Sequence, residues 1–171
     1  MGESPDLCRH EGSSPDLHVA LVHPEIPWNT GNAGRTCLAA GAQLHLVRPL
    51  GFALTERELR RAGLDYWERV KPVVWPDWAS FERAIAELGA PFLFTAEGGR
   101  ELWDVSFPAR SVLIFGRESV GLPDQIRATF RDHLVRIPMA DPELRSLNLS
   151  TAVAVALYEV GRQRRYGACT R

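Results

Sequence analysis

The sequence predicts an open, mostly parallel α/β sheet covered by helices on both faces, and three observations carry that prediction. Short runs rich in β-branched and aromatic residues alternate along the chain with segments of helical spacing. Those runs are continuously apolar rather than alternating, as strands buried on both faces are. The chain has 171 residues, 45% of them hydrophobic, enough to fill one core and too few for two.

Residues 1–16 carry Ser-Pro-Asp-Leu at Ser4–Leu7 and again at Ser14–Leu17, with Gly, His and charges between and no apolar period. They read as a loose tail ahead of one domain over 17–171. Leu17–Val22 is the first strand, Thr30–Ala40 the first helix and Gln43–Val47 the second strand. A helix over Thr55–Ala62 follows, since Thr55 and Glu58 have the spacing of a capping box, and Val70–Val74 is a further short strand. Asp77 is placed to cap a helix that runs to Leu88. Phe92–Thr95 and Ser111–Phe115 are the next strands, and Pro123 opens a helix to Phe130 because proline suits the first helical turn. His133–Ile137 is the last strand. The final helix, Ser150–Arg165, contains the block Ala152-Val153-Ala154-Val155-Ala156-Leu157. That block leaves little polar face, which predicts burial nearly all round and a homodimer interface as its outlet.

Lys and Arg number 20 against 21 Asp and Glu, a formal net charge of -1. Any RNA binding therefore depends on local clusters, and two exist: Arg57, Arg60, Arg61 and Arg69, then Arg162, Arg164 and Arg165. Cys8, Cys37 and Cys169 are odd in number and far apart, which suggests neither a disulfide framework nor a metal knuckle. No run nears the roughly 20 apolar residues of a membrane helix, and charges stand where a signal peptide is apolar. The expectation is a soluble, cytoplasmic protein without a metal or membrane partner.

Ligands of open α/β sheets bind beyond the carboxyl ends of the strands, so the loops there are the candidate site. In the first, Asn29-Thr30-Gly31-Asn32-Ala33-Gly34-Arg35, the small residues would admit a ligand backbone closely, and Arg35 offers a fork suited to phosphate. The same stretch also reads as an Asn-capped helix with its arginine in solvent. The second, Gly116-Arg117-Glu118-Ser119-Val120-Gly121-Leu122-Pro123, lacks the glycine fingerprints of dinucleotide and nucleoside triphosphate sites. Gly116 also stands one residue too far from Ser119 for a hydrolase nucleophile elbow. The third, Pro138 to Ser150, is stiffened by Pro138 and Pro142 and interleaves Arg145, Ser146, Asn148 and Ser150 with Leu147 and Leu149. Such alternation lets backbone amides pin a cofactor while polar side chains face the reacting group; helix capping by Ser146, Asn148 or Ser150 is the plainer reading.

Taken in order, the three loops resemble those of SPOUT-class RNA methyltransferases, and among them the small tRNA wobble-nucleotide 2'-O-methyltransferases. The resemblance is carried by Pro24–Arg35, Phe115–Pro123 and Ile137–Ser150, with Pro49–Phe52 and Leu59–Tyr66 between, and it spans about Leu17 to Gln163. It implies a deep C-terminal trefoil knot, S-adenosylmethionine held in that knot, a homodimer, and the anticodon stem-loop of tRNA as partner. By position, cofactor contacts fall to Phe94, Thr95, Gly116, Ile137, Ser146 and Leu147. Arg35, Asn148 and Ser150 fall at the reacting group, and Asn32, Arg35, Arg60, Arg61 and Glu118 on the RNA. Trp28 where Pro is commoner, Gly34 beside Arg35, and the N-terminal tail depart from the pattern. The implied reaction is methylation of the ribose 2'-hydroxyl of wobble nucleotide 34; another tRNA or rRNA ribose, or an RNA-binding protein without transfer activity, are the alternatives.

In-line transfer needs the ribose oxygen about 3–3.5 Å from the methyl carbon. A guanidinium is a poor base, so Arg35 is read in a mixed role: it grips the neighbouring phosphate, stabilises the developing alkoxide and accepts the proton only late. Arg57, Arg60, Arg61 and Arg69 are expected to add phosphate contacts, with Trp28 or Tyr66 stacking on a splayed base.

Overall fold

The computed structural model describes residues 16–53 and 66–166. The helix expected over Thr55–Ala62, its capping pair, Arg57, Arg60 and Arg61, the N-terminal repeat up to Pro15, Cys8 and Cys169 lie outside the described residues.

Seven strands form one sheet: β1 (Leu17–Val22), β2 (Gln43–Val47), β3 (Val73–Trp75), β4 (Ala90–Phe94), β5 (Arg100–Glu101), β6 (Ser111–Phe115) and β7 (Leu134–Arg136). Their order is β3-β2-β1-β6-β4-β7-β5, and every ladder is parallel, as the uninterrupted apolar runs predict. Alternate residues of the buried strands feed two cores. Val19, Leu21, Leu44, Leu46, Leu113 and Phe115 face one layer, with Ala33 and Cys37 of α1 (Pro27–Ala40) and Val153, Ala156 and Val160 of α5 (Leu149–Tyr166). Ala20, Val22, Val47, Val112 and Ile114 face the other, with Phe81 and Ile85 of α3 (Trp78–Leu88) and Ile126 of α4 (Asp124–Thr129). A short helix, α2 (Trp67–Val70), packs on α1 and ends at Lys71, whose φ is 43°.

Asp77 caps α3 as expected, its side chain accepting from Ser80 N–H at 2.7 Å. Other expectations need correction. α1 starts at Pro27, three residues early, because proline occupies the first turn and Ile26 provides no side-chain cap; the Asn-capped reading does not hold. Val70 belongs to α2, and β3 begins only at Val73. β4 spans 90–94 rather than 92–95, and a 3-10 turn at Arg131–His133 shortens β7. α5 is not buried all round: Leu149, Val153, Ala156, Leu157 and Val160 are inside, whereas Thr151 is exposed and Tyr158 retains 64% of its surface.

Nor do the small residues of the first loop open space for a ligand. Ala33 is fully buried, and a Cβ on Gly34 would lie 3.0 Å from the Trp67 ring, so the glycine lets α2 close on α1. At the other side of the sheet, His18 Nδ1 and His45 Nε2 are 3.0 Å apart, and Trp75 Nε1 donates to His45 Nδ1 at 3.0 Å. That bond fixes the neutral His45 tautomer with its proton on Nε2, directed at His18. Burial first, and His18 second, push the His45 pKa down to about 3.

Candidate active site

The order β6-β4-β7 brings the carboxyl ends of three strands side by side. Phe94 pairs in register with Phe115 and Val135, and Thr95 N–H donates to Val135 C=O at 2.9 Å. The rings of Phe94 and Phe115 stack with centroids 4.6 Å apart and planes at 12°. Phe94, Thr95, Gly116 and Ile137, drawn from three separate strand ends, therefore gather at one edge of the sheet.

The second loop is a tight turn closed by reciprocal backbone bonds between Arg117 and Gly121, 3.2 and 2.9 Å. Gly121 has φ 72°, a left-handed conformation glycine adopts freely. Gly116 is required for a different reason: a Cβ there would sit 2.1 Å from the Gly121 carbonyl carbon.

From this turn Glu118 reaches the start of α1. Its carboxylate accepts from Glu25 N–H at 2.8 Å, Ile26 N–H at 3.2 Å and Asn29 Nδ2 at 3.0 Å. An anion placed there satisfies donors that a helix start leaves unpaired and complements its dipole. Glu118, expected on the RNA, is thus turned inward as a cap supplied from a distant loop. Glu25 answers in the opposite direction, its carboxylate accepting from Ser119 N–H at 3.0 Å and Ser119 Oγ at 2.9 Å. The Ser119 hydroxyl, then its backbone N–H, hold the Glu25 carboxyl below its ordinary pKa.

Asn29 carries the connection onward. It is 7% exposed, and its Oδ1 accepts from Asn148 Nδ2 at 2.9 Å. Asn148 Oδ1 in turn accepts from Ser150 N–H at 2.9 Å and Ser150 Oγ at 2.8 Å, which makes Asn148 the cap of α5. Both readings of the third loop therefore meet in Asn148: it caps a helix, and it ties that loop to the first. Ser146 is exposed, and Leu147 and Ile137 are half-buried.

Asn32 and Arg35 lie on the exposed side of α1, one turn apart. The Arg35 guanidinium stands 4.7 Å over the Tyr66 ring. Tyr66 is itself buried, so it is not the base-stacking platform expected; Trp28, 54% exposed, remains open. Arg35, Leu38, Ala39, Tyr66 and Arg69 line an open pocket of about 350 Å³. The structure does not bring Arg35 to Asn29: six residues along a helix correspond to about 9 Å of rise and about 1.7 turns, which sets the two side chains roughly 120° apart. Among the described residues no group of acidic, His and Cys side chains could hold a metal ion, and no helix is long and apolar enough to cross a membrane. Glu25 was missed by sequence reasoning, because a lone carboxylate before Ile-Pro gives no local sign of a partner 94 residues away.

The model of the SpoU rRNA methylase family matches residues 16–158, a stretch holding all three loops and the sheet that carries them. The chain belongs to the SpoU methylase family. This SpoU methylase is 45% identical to the tRNA (cytidine(34)-2'-O)-methyltransferase of Methylovorus glucosotrophus, over 85% of this chain and 94% of that one. It also resembles a solved structure described as giving insight into 2-OH methylation of C/U34 on tRNA, at 46% identity and TM-score 0.80, covering 87% of this chain and 96% of that one. The SpoU methyltransferase AviRb of Streptomyces viridochromogenes, solved with AdoMet, superimposes at TM-score 0.77 and 26% identity, covering 95% of this chain and 63% of that one.

Proposed function

We propose that the protein transfers a methyl group from S-adenosylmethionine to the ribose 2'-hydroxyl of nucleotide 34 in tRNA, acting as a cytoplasmic homodimer. The observation that carries this reading is the hydrogen-bonded chain Ser150–Asn148–Asn29–Glu118, which joins all three loops beside the gathered strand ends. The relatives that share nearly the full length of the chain, named for this reaction on tRNA, support it.

The residues present suit the cofactor. Backbone groups at Thr95, Gly116 and Ile137 end three adjacent strands over the buried Phe94–Phe115 stack, and Ser146 and Leu147 belong to the third loop, which Asn148 ties to the first. In the family's trefoil knot that loop would close over the strand ends. When bound, the cofactor supplies an electrophilic methyl group on a sulfonium. Asn29 and Asn148 hold the first and third loops in one geometry, with Ser150 orienting Asn148. Arg35 grips the phosphate beside the target ribose and stabilises the oxygen as its proton passes to solvent water and the methyl–sulfur bond breaks, with Asn32 beside it and Arg60, Arg61 and Arg69 adding phosphate contacts. Because Arg35 and Asn29 point to different sides of α1, a second copy docked on the exposed face of α5 would complete the site.

Labelled methyl transfer to bulk tRNA, followed by nucleoside mapping, tests the reading. The expected product is 2'-O-methylcytidine or 2'-O-methyluridine at position 34, and Arg35→Ala should abolish incorporation while leaving the calorimetric heat of cofactor binding. The family's name refers to rRNA, so the same assay run on rRNA is the counter-test. Label mapped to rRNA alone would overturn the tRNA assignment.

A further inference from the structure

We propose that Tyr66 is a positioning residue that fixes the Arg35 guanidinium for its work on the RNA, an inference that rests on the role given to Arg35 above. The Arg35 guanidinium carbon lies 4.7 Å from the Tyr66 ring centroid, within the roughly 6 Å over which a cation and an aromatic face attract. Stacking engages the flat face of the guanidinium and leaves the N–H fork at its edge free to meet phosphate or alkoxide oxygens. The ring is itself held. Tyr66 is buried in the cluster of Ala33 and Val70, and its hydroxyl donates to Gly31 C=O at 3.1 Å. In an α-helix the carbonyl of residue 31 also receives the N–H of residue 35, so Tyr66 is anchored to the turn that carries Arg35. The side chain thus stands on a platform built into its own helix. A free arginine on an exposed face would have several rotamers to lose on meeting RNA; a stacked one has fewer.

The pocket lined by Arg35, Tyr66 and Arg69 gives the arrangement a direction. Arg35 and Arg69 both line one open cavity of about 350 Å³, and neither pairs with a described carboxylate. The ligand class this fits is a nucleic-acid backbone, with Arg35 held still and Arg69 lining the same cavity.

The test is a double-mutant cycle on the full-length protein, reading tRNA methylation rate, tRNA affinity by anisotropy and cofactor affinity by calorimetry. Tyr66→Leu should lower kcat/KM for tRNA roughly 2- to 30-fold, the range a cation–π contact spans, with cofactor affinity unchanged. Tyr66→Phe keeps the ring face and should stay within about threefold of the parent. In an Arg35→Ala background, Tyr66→Leu should lower tRNA affinity no further. An undiminished Tyr66→Leu effect in that background overturns the inference, as does parental kcat/KM in Tyr66→Leu itself. Arg35→Ala with full methylation would instead bring down the Arg35 assignment, and this inference with it. The parent protein gives an independent reading should Tyr66→Leu fail to fold: ring current from Tyr66 should move the Arg35 Nε–H proton resonance upfield of the other arginines. An unshifted resonance overturns the stacking.

Discussion

Asn29 accepts a hydrogen bond of 2.9 Å from Asn148 across 119 positions of sequence, and the same side chain donates to Glu118 at 3.0 Å. One buried amide therefore links the start of α1, the turn after β6 and the start of α5. Each partner also caps a helix, so local structure and site geometry depend on the same atoms.

Replacing Asn29 should expose that dependence. Asn29→Ala removes one of the three donors to the half-buried Glu118 carboxylate and the acceptor of the solvent-exposed Asn148 amide, so the cost is about 1–2 kcal/mol in all, or a Tm lowered by roughly 2–8 °C. Asn29→Asp should be worse near neutral pH, because it sets a second carboxylate against Glu118 where Nδ2 now donates. Its deficit should shrink as pH falls and one of the two carboxylates takes a proton. Thermal melts at pH 7.5 and 5 check this, and equal deficits for the two variants at both values would refute it.

Two glycines near the site should respond in opposite ways. Gly116→Ala drives a Cβ to within 2.1 Å of backbone at Gly121, so the turn itself must move; the expected loss is roughly 2–3 kcal/mol or more, together with cofactor binding. Gly34→Ala meets only the Trp67 and Val70 side chains, at 3.0 and 3.2 Å. The gain of about 1 kcal/mol in helix propensity offsets that crowding, and stability should change by less than about 1 kcal/mol. Denaturant unfolding and calorimetry of both variants decide between these outcomes.

The contrast between these glycines also marks how far the fold could be read from sequence. The parallel sheet was legible because strands such as Leu17–Val22 and Ser111–Phe115 are apolar on both faces and say so locally. The cap of α1 was hidden, since it is Glu118, some ninety residues away, although Pro27 marks the first turn locally. β5 has two residues and no periodicity to find. Of the candidate site, the three loops announced themselves by composition, whereas the bonds joining them did not: a contact between distant amides leaves no pattern in either segment. Gly34 was misread for the same reason, because only Trp67, met in three dimensions, explains it.

The exposed side of α5 predicts the oligomeric state. Tyr158 is 64% exposed, with Ala154 and Val155 half-buried one turn before it, a small apolar face beside α1. Sedimentation equilibrium should give a dimer for the parent, and Tyr158→Asp should shift it to monomer with methyl transfer lost. A parent that sediments as a monomer, or a dimer indifferent to Tyr158→Asp, would show that this face is not the interface.

The buried histidine pair should make stability fall in mild acid. His45 is 2% exposed and its pKa is pushed down to about 3, whereas an unfolded histidine titrates near 6.5. Above pH 6.5 neither state binds the proton, and the neutral ring keeps its place between Trp75 and His18. Below it the unfolded chain takes a proton that the folded one accepts only near pH 3. Stability therefore drops as pH falls, by about 1.4 kcal/mol per unit from His45 alone and about 2 kcal/mol by pH 5. Gln at this position stays neutral, can accept from Trp75 and can donate to His18, so His45→Gln should be less stable at pH 7.5 yet lose less on acidification. Urea unfolding of both proteins between pH 7.5 and 5 measures the two slopes. Parallel slopes would mean that the acid sensitivity arises elsewhere in the chain.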